Sequence, residues 1–206
     1  MQQVEDCLRR PVSRETIKRL ESFVETLKSW NDAINLVSRH DLQEIWTRHI
    51  LDSAQLFLLH RPSDRCWIDL GTGGGFPGLI VAILAAEFAP ELTITLVESD
   101  HRKAAFLRTA AIACNVHPVI LTQRAETASP LQADVLSARA LAPLTQLLEL
   151  ASRHLAPTGR AIFPKGARAD EEIASALATW RFDVQKIPSQ TDRQGVVLVI
   201  EGVSRA

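Results

Sequence analysis

The chain has 206 residues, 46% of them hydrophobic and 23% charged, with a formal net charge of −1 at pH 7. That length suits one domain, or one domain with an elaborated end, and buries roughly 70% of the unfolded surface. The near-neutral balance gives no global attraction to nucleic acid, so any RNA binding requires a local basic patch.

The longest purely apolar run, residues 79–86, is too short to span a bilayer. Residues 1–20 are charged and contain no signal-peptide core. The three cysteines, Cys7, Cys66 and Cys114, have neither paired nor metal-ligand spacing. A reduced cytoplasm, with no membrane and no metal, is therefore expected.

Residues 11–30, PVSRETIKRLESFVETLKSW, place Ile17, Leu20, Phe23, Val24, Leu27 and Trp30 on one helical face, with Ser13 as the N-cap. Residues 39–59, RHDLQEIWTRHILDSAQLFLL, read as a second helix, with Asp41 and Glu44 spaced as a capping box. The pattern then changes. Short apolar runs follow: CWIDL (66–70), LTITLVE (92–98), HPVILT (117–122), ADVLSA (133–138), RAIFP (160–164), FDVQKI (182–187) and GVVLVIE (195–201). They are seven strand candidates, with helices predicted at 76–87, 101–114, 143–155 and 169–179.

Strand–helix alternation implies an α/β fold with a mostly parallel sheet. The last two strands leave no room for a helix and should form an antiparallel hairpin around PSQTDRQG, residues 188–195. The organisation expected is a helical N-terminal extension, 1–62, packed on an α/β domain, 63–206.

Between the first strand and its helix lies IDLGTGGGFPG, residues 68–78, holding five of the nine glycines. Pro77 is suited to the first helical position. A strand–glycine turn–helix aims backbone N–H groups at a ligand. Gly78 is followed by Leu79 and Ile80 rather than Lys and Ser or Thr, which excludes a Walker loop. Gly73, Gly75 and Gly78 match the dinucleotide pattern G-x-G-x-x-G, with Glu98 20 residues beyond Gly78 where a ribose-binding acid belongs. From Asp69 the same turn also reads D-x-G-x-G-x-G, resembling the S-adenosylmethionine turn of class I methyltransferases. Local spacing does not separate the two. Context favours methyl transfer, because no second catalytic domain is present and SDHRKAAFLRTAA (99–111) follows the acid.

Residue types that are missing narrow the acceptor. After the fourth strand stands SARALAP, not an Asn/Asp-Pro-Pro-aromatic loop, and the chain has no tyrosine. No cysteine follows a proline, as cytosine C5 methylation would require, and no Lys-Asp-Lys-Glu base network can be assembled. WNDAINLVS (30–38), RHILDS (48–53), the glycine turn, SARA (137–140) and PKG (164–166) occur in that order. Together they resemble the bacterial 16S ribosomal RNA guanine-N7 methyltransferases, the glucose-inhibited division protein B family, from about Trp30 to the C-terminus. One departure is Gly74 and Phe76, where many members carry Pro and Leu.

That resemblance implies the class I methyltransferase fold, S-adenosylmethionine as cofactor, and 16S ribosomal RNA or the small ribosomal subunit as partner of a monomer. Guanine N7 carries a lone pair at neutral pH, so no base must remove a proton before attack and the task is one of positioning. Cofactor contacts are expected from Asp69, Gly71, Gly73 and Phe76 at the turn, Glu98 on the ribose, and Ala125 with the Glu126 N–H on the adenine. Arg139, at the end of the fourth strand, is the catalytic candidate, facing either the cofactor carboxylate or the target guanosine; its alternative is a helix-end salt bridge. Asn35, His49 and Asp52 match family positions as substrate-side residues or as scaffolding. Lys165 and Arg193 are candidates for RNA phosphate, extended by Arg39, His40, Arg48, Arg102, Lys103 and Arg124. A methyltransferase for a protein or small molecule, and a nucleotide-binding module without catalysis, remain as alternatives.

Overall fold

Each apolar run closes on its neighbours to make one seven-stranded sheet, described over residues 2–206 in a computed structural model. The strands are β1 Cys66–Leu70, β2 Thr93–Val97, β3 Val119–Leu121, β4 Ala133–Ala138, β5 Leu155–Lys165, β6 Trp180–Pro188 and β7 Val196–Arg205. Their spatial order is β3-β2-β1-β4-β5-β7-β6. Pairing is parallel from β3 through to β5. β7 enters antiparallel between β5 and β6, which is the expected hairpin.

The chain leaves β1 toward β2 and β3, then returns to build outward from the other side of β1 through β4. That reversal opens a crevice above the carboxyl ends of β1 and β4, where open α/β sheets bind ligands. Leu70 pairs with Ala138, so Gly71 and Arg139 leave the sheet side by side.

The helices are α1 Gln2–Leu8, α2 Arg14–Asn31, α3 Arg39–Gln43, α4 Asp52–Phe57, α5 Gly78–Phe88, α6 His101–Ala113, α7 Leu144–His154 and α8 Ala169–Ala176. On one face of the sheet α2 lies against α5 and α6, and Leu20, Phe23 and Leu27 join Leu79, Ile83, Phe106 and Leu107 in a single apolar core. The opposite face buries Leu147, Leu148 and Ala151 of α7 with Leu136, Phe163 and Trp180. Burying apolar side chains on both faces is what makes the central strands near-continuous hydrophobic runs.

Three sequence expectations are corrected. The single helix over 39–59 is broken into α3, a π-helical turn Trp46–Leu51, and α4. Its cap lies three residues upstream of the expected box: the Asp41 N–H donates to Ser38 Oγ at 3.1 Å, and the Ser38 hydroxyl returns a bond to Asp41 Oδ2 at 2.7 Å. Pro77 precedes the first residue of α5 rather than being that residue, since the helix begins at Gly78. The short helix α1, which buries Val4, Cys7 and Leu8, had no periodicity long enough to announce it.

Candidate active site

Beyond β1 the backbone turns through Gly71, Gly73 and Gly75, all with positive φ. Gly73 has φ +54° and only the Gly71 carbonyl within 4 Å of where a Cβ would stand, so the turn is open there and its backbone is accessible. Gly78 is glycine for a different reason: a Cβ would lie 2.6 Å from Asp69 Cβ and 2.4 Å from Leu96 Cδ2, so α5 presses directly on the sheet.

Asp69 holds this turn from beneath. Its Oδ2 accepts from the Gly78 N–H at 3.0 Å, and its Oδ1 accepts from the Ser137 hydroxyl at 2.7 Å. Ser137 in turn accepts from Trp67 Nε1 at 2.9 Å. Asp69 is fully buried, and that burial pushes its carboxyl up to about 6 against the lowering effect of the hydrogen bonds from Ser137 and Gly78.

Glu98 closes the other side. One carboxylate oxygen accepts from the Gly73 N–H at 2.9 Å and the other from the Asp100 N–H at 2.8 Å, linking the turn to the start of α6. Ala125 is buried and Glu126 exposed in the loop after β3, with no backbone carbonyl among the described residues accepting from the Glu126 N–H. This loop is clamped from α7: His154 Nε2 bonds the Ala125 carbonyl at 2.8 Å, and Arg153 donates to the Ala128 carbonyl at 2.9 and 2.7 Å.

Arg139 is the hub on the far side of the turn. Its Nη1 donates to Asp52 Oδ2 and to the Arg48 carbonyl, both at 3.2 Å, and its Nη2 donates to His49 Nδ1. The guanidinium also lies 5.1 Å from the centre of the Phe76 ring. Among the described residues the Nε–H and one Nη2–H have no partner, so the arginine keeps donors for a ligand. His49 is neutral in this setting. Burial first, and the Arg139 charge second, lower its pKa to about 4. Accepting from Arg139 at Nδ1 leaves the proton on Nε2, which is buried without a partner and 3.9 Å from Asp41 Oδ2.

Beyond Arg139, off the ends of β4, β5 and β7, opens a cavity of about 680 Å³ bordered by Asp52, Leu141, Pro143, Lys165 and Ser189. Leu141 separates it from the glycine turn, its Cδ1 standing 2.5 Å from where a Gly71 Cβ would be. The glycine turn, open at Gly73, and the cavity therefore adjoin at Arg139 and Leu141. Ala140 between them has φ +52°, an unusual conformation for a residue with a side chain.

The family model described as GidB, rRNA small subunit methyltransferase G, matches residues 16–196. The chain belongs to the GidB family. A protein named Ribosomal RNA small subunit methyltransferase G from Ruegeria sp. (strain TM1040) is 54% identical over 194 residues, covering 94% of both chains. Another of that name, from Gluconobacter oxydans (strain 621H), is 45% identical over 194 residues, covering 94% of this chain and 97% of its own. Among solved structures, a ribosomal protein L11 methylase from Lactobacillus delbrueckii subsp. bulgaricus has a TM-score of 0.57 at 19% identity, covering 77% of this chain and 78% of that one. A TehB-like SAM-dependent methyltransferase from Corynebacterium glutamicum has a TM-score of 0.56 at 14% identity, covering 88% and 96%. The fold is thus that of class I S-adenosylmethionine-dependent methyltransferases.

Within this GidB chain, RHILDS is brought onto Arg139 entirely by the π-helical turn and the start of α4. Other expected residues sit differently. Phe76, expected against the cofactor, is only 4% exposed and packs edge-on against Phe23 at 5.3 Å and beside His49 at 4.7 Å. Lys165, expected as a cation for RNA phosphate, bonds Glu172 at 2.7 Å and the Ala142 carbonyl at 3.2 Å, and its side chain is 10% exposed. Asn35 is exposed and makes no side-chain hydrogen bond among the described residues. The neighbouring Asn31 instead ties down the loop, accepting from the Leu36 and Val37 N–H groups at 2.9 Å and donating to the Val37 carbonyl at 3.1 Å.

Arg193 lies exposed in the β6–β7 connection. Arg39, His40, Arg102 and Arg124 are exposed, and Lys103 is half-buried. Arg48 is engaged by Asp41 at 3.3 Å. Sequence reasoning missed His154, Arg153, Ser137 and Leu141. A histidine in the last turn of a helix, or a serine in an apolar strand, gives no local sign of what it will meet.

Proposed function

We propose that this chain transfers a methyl group from S-adenosylmethionine to guanine N7 of 16S ribosomal RNA. The observation that carries this reading is a glycine turn, open at Gly73, beside a cavity bordered by Arg139, which keeps donors without a partner among the described residues. The turn fits the cofactor: the backbone at Gly73 is open to approach, each Glu98 oxygen keeps lone pairs for ribose hydroxyls, and the Glu126 N–H, without a backbone acceptor among the described residues, is available for the adenine edge. When bound, S-adenosylmethionine supplies an electrophilic methyl on a sulfonium.

The protein's own residues then position and screen. Guanine N7 attacks through a lone pair, so no residue has to take a proton before the carbon–nitrogen bond forms. His49 is unsuited to such a role in any case, with Nδ1 engaged by Arg139 and its pKa near 4. Asp52 and the Phe76 face offset the guanidinium charge beside a site where positive charge passes from sulfur to purine. The cavity, at about 680 Å³, is of a size that takes a single unstacked nucleotide. RNA backbone contacts come from the exposed arginines around the carboxyl edge of the sheet. The same reading has the chain working in the cytoplasm, as a monomer and without a metal, so transfer should continue in the presence of a chelator.

The test is incubation with radiolabelled S-adenosylmethionine and small subunits from cells lacking the gene. Label is expected in 16S RNA, released on digestion as 7-methylguanosine. Label in ribosomal protein or in a small-molecule fraction instead would overturn the reading.

A further inference from the structure

Asp52 opens α4, and its carboxylate is divided between two parts of the molecule. Oδ2 accepts from Arg139 Nη1 at 3.2 Å, while Oδ1 accepts from Thr191 Oγ1 at 2.9 Å and from Gln55 Nε2 at 2.8 Å. Gln55, one helical turn on, reaches the same hairpin connection. Its Nε2 donates to Ser189 Oγ at 3.3 Å, and its Oε1 accepts from the Gln190 N–H at 2.8 Å. The connection at 189–195 therefore hangs on two side chains of α4, and one of them also fixes Arg139. Asp52, Arg139, Ser189 and Asp192 all border the large cavity.

Both Asp52 oxygens are engaged inside the protein, so this carboxylate is poorly placed to read a substrate edge. What it does is hold two things that face the cavity. Without it, an arginine at a strand end beside open space regains rotamer freedom, and the hairpin connection loses its hydroxyl anchor. We propose that Asp52 is a positioning residue: it sets the aim of Arg139 and the closure of the 189–195 connection at once, so that the wall of the acceptor cavity and the group facing the acceptor are assembled together. This rests on the reading above, in which Arg139 serves methyl transfer.

Three variants test it. Asp52→Asn keeps the shape and an acceptor for Thr191 but removes the charge that holds Arg139; Thr191→Val cuts only the hairpin side; Arg139→Ala is the reference. Asp52→Asn should lower whichever quantity Arg139→Ala lowers, S-adenosylhomocysteine affinity or turnover on small subunits, by at least tenfold. In the Arg139→Ala background, adding Asp52→Asn should change that quantity by less than twofold, since its effect passes through the arginine. Trypsin cleavage after the exposed Arg193 should quicken at least fivefold in Thr191→Val and in Asp52→Ala, and should the alanine variant not fold, Thr191→Val carries that measurement. Wild-type turnover in Asp52→Asn, or losses that multiply in the double variant, would overturn the proposal while leaving the methyl-transfer reading intact. Full activity in Arg139→Ala would overturn that placement of the acceptor and the proposal with it.

Discussion

Arg139 combines a saturated side, facing Asp52, His49 and the Arg48 carbonyl, with donors that no atom of the described residues takes. A lysine at this position has one point of charge and cannot hold the same fork while presenting another. Arg139→Ala is expected to fold and to lose transfer by about 100-fold or more, the cost of losing the group that positions the cofactor carboxylate or the guanine, with Arg139→Lys recovering little. Single-turnover assays with calorimetry of cofactor binding check this. A parallel fall in cofactor affinity identifies the cofactor carboxylate as the arginine's partner, and retained affinity identifies the guanine. Glu98→Ala carries a double penalty, because its carboxylate holds the Gly73 and Asp100 N–H groups as well as facing the ribose site. Cofactor binding should weaken by roughly 1–3 kcal/mol and the melting temperature should fall with it.

The element that shapes the site is the strand–turn–helix from β1 into α5, and its glycines are not interchangeable. Ala at 78 would push against Asp69 Cβ at 2.6 Å and Leu96 Cδ2 at 2.4 Å, in a place where neither the strand nor the helix can give. Gly78→Ala should cost about 1–3 kcal/mol in urea unfolding and misplace the Asp69 carboxylate. Gly166→Ala, with nothing within 4 Å, should stay within about 0.5 kcal/mol of wild type. A second element, the segment 38–57, starts from a single cap at Ser38. Ser38→Ala should cost about 1 kcal/mol, and more in activity than its stability loss explains, because α3 leads into the π-helical turn that presents Arg48 and His49 to Arg139.

Across the whole fold, pH acts with two signs. Burial holds His49, His60 and His154 below the ordinary histidine value, with Arg139 adding to the effect at His49. The unfolded chain takes up those protons first, so stability falls as pH drops below about 6.5. His49, lowered to about 4, accounts for a loss of order 3 kcal/mol by that pH. Asp69 works in the opposite direction. Raised to about 6, it binds a proton in the folded chain before the unfolded one, which offsets part of the histidine loss between about 6 and its ordinary value near 3.8. The protonated carboxyl no longer accepts from both Ser137 and Gly78 in the same way, so cofactor affinity should decline through pH 6 even while the protein remains folded. Urea unfolding beside cofactor titrations at pH 7.5, 6.0 and 5.0 separates the two effects, and Asp69→Asn should flatten the second. RNA binding should weaken steeply with salt although the net charge is −1, because exposed Arg39, Arg102, Arg124, Arg168 and Arg193 have no ion-pair partner among the described residues. Affinity that stays level between low and moderate salt would remove that patch.

The seven strands, the glycine turn and the closing hairpin were legible in the order of residues, because each rests on a local rule: a run of apolar residues, left-handed turn positions that favour glycine, a loop too short for a helix; the family was legible as a resemblance carried by five motifs in order. The environment of Arg139 was not. Residues 39–59 read as one helix, yet they break around a π-helical turn whose carbonyl and imidazole, with the carboxylate at the start of α4, meet an arginine some ninety positions later. Phe76 looks like part of a ligand turn until Phe23, on α2, covers it. Lys165 looks like a free cation until α8 turns Glu172 toward it. Period and turn chemistry act between near neighbours, whereas burial and charge pairing join residues that only the closed sheet and its two helical layers bring together.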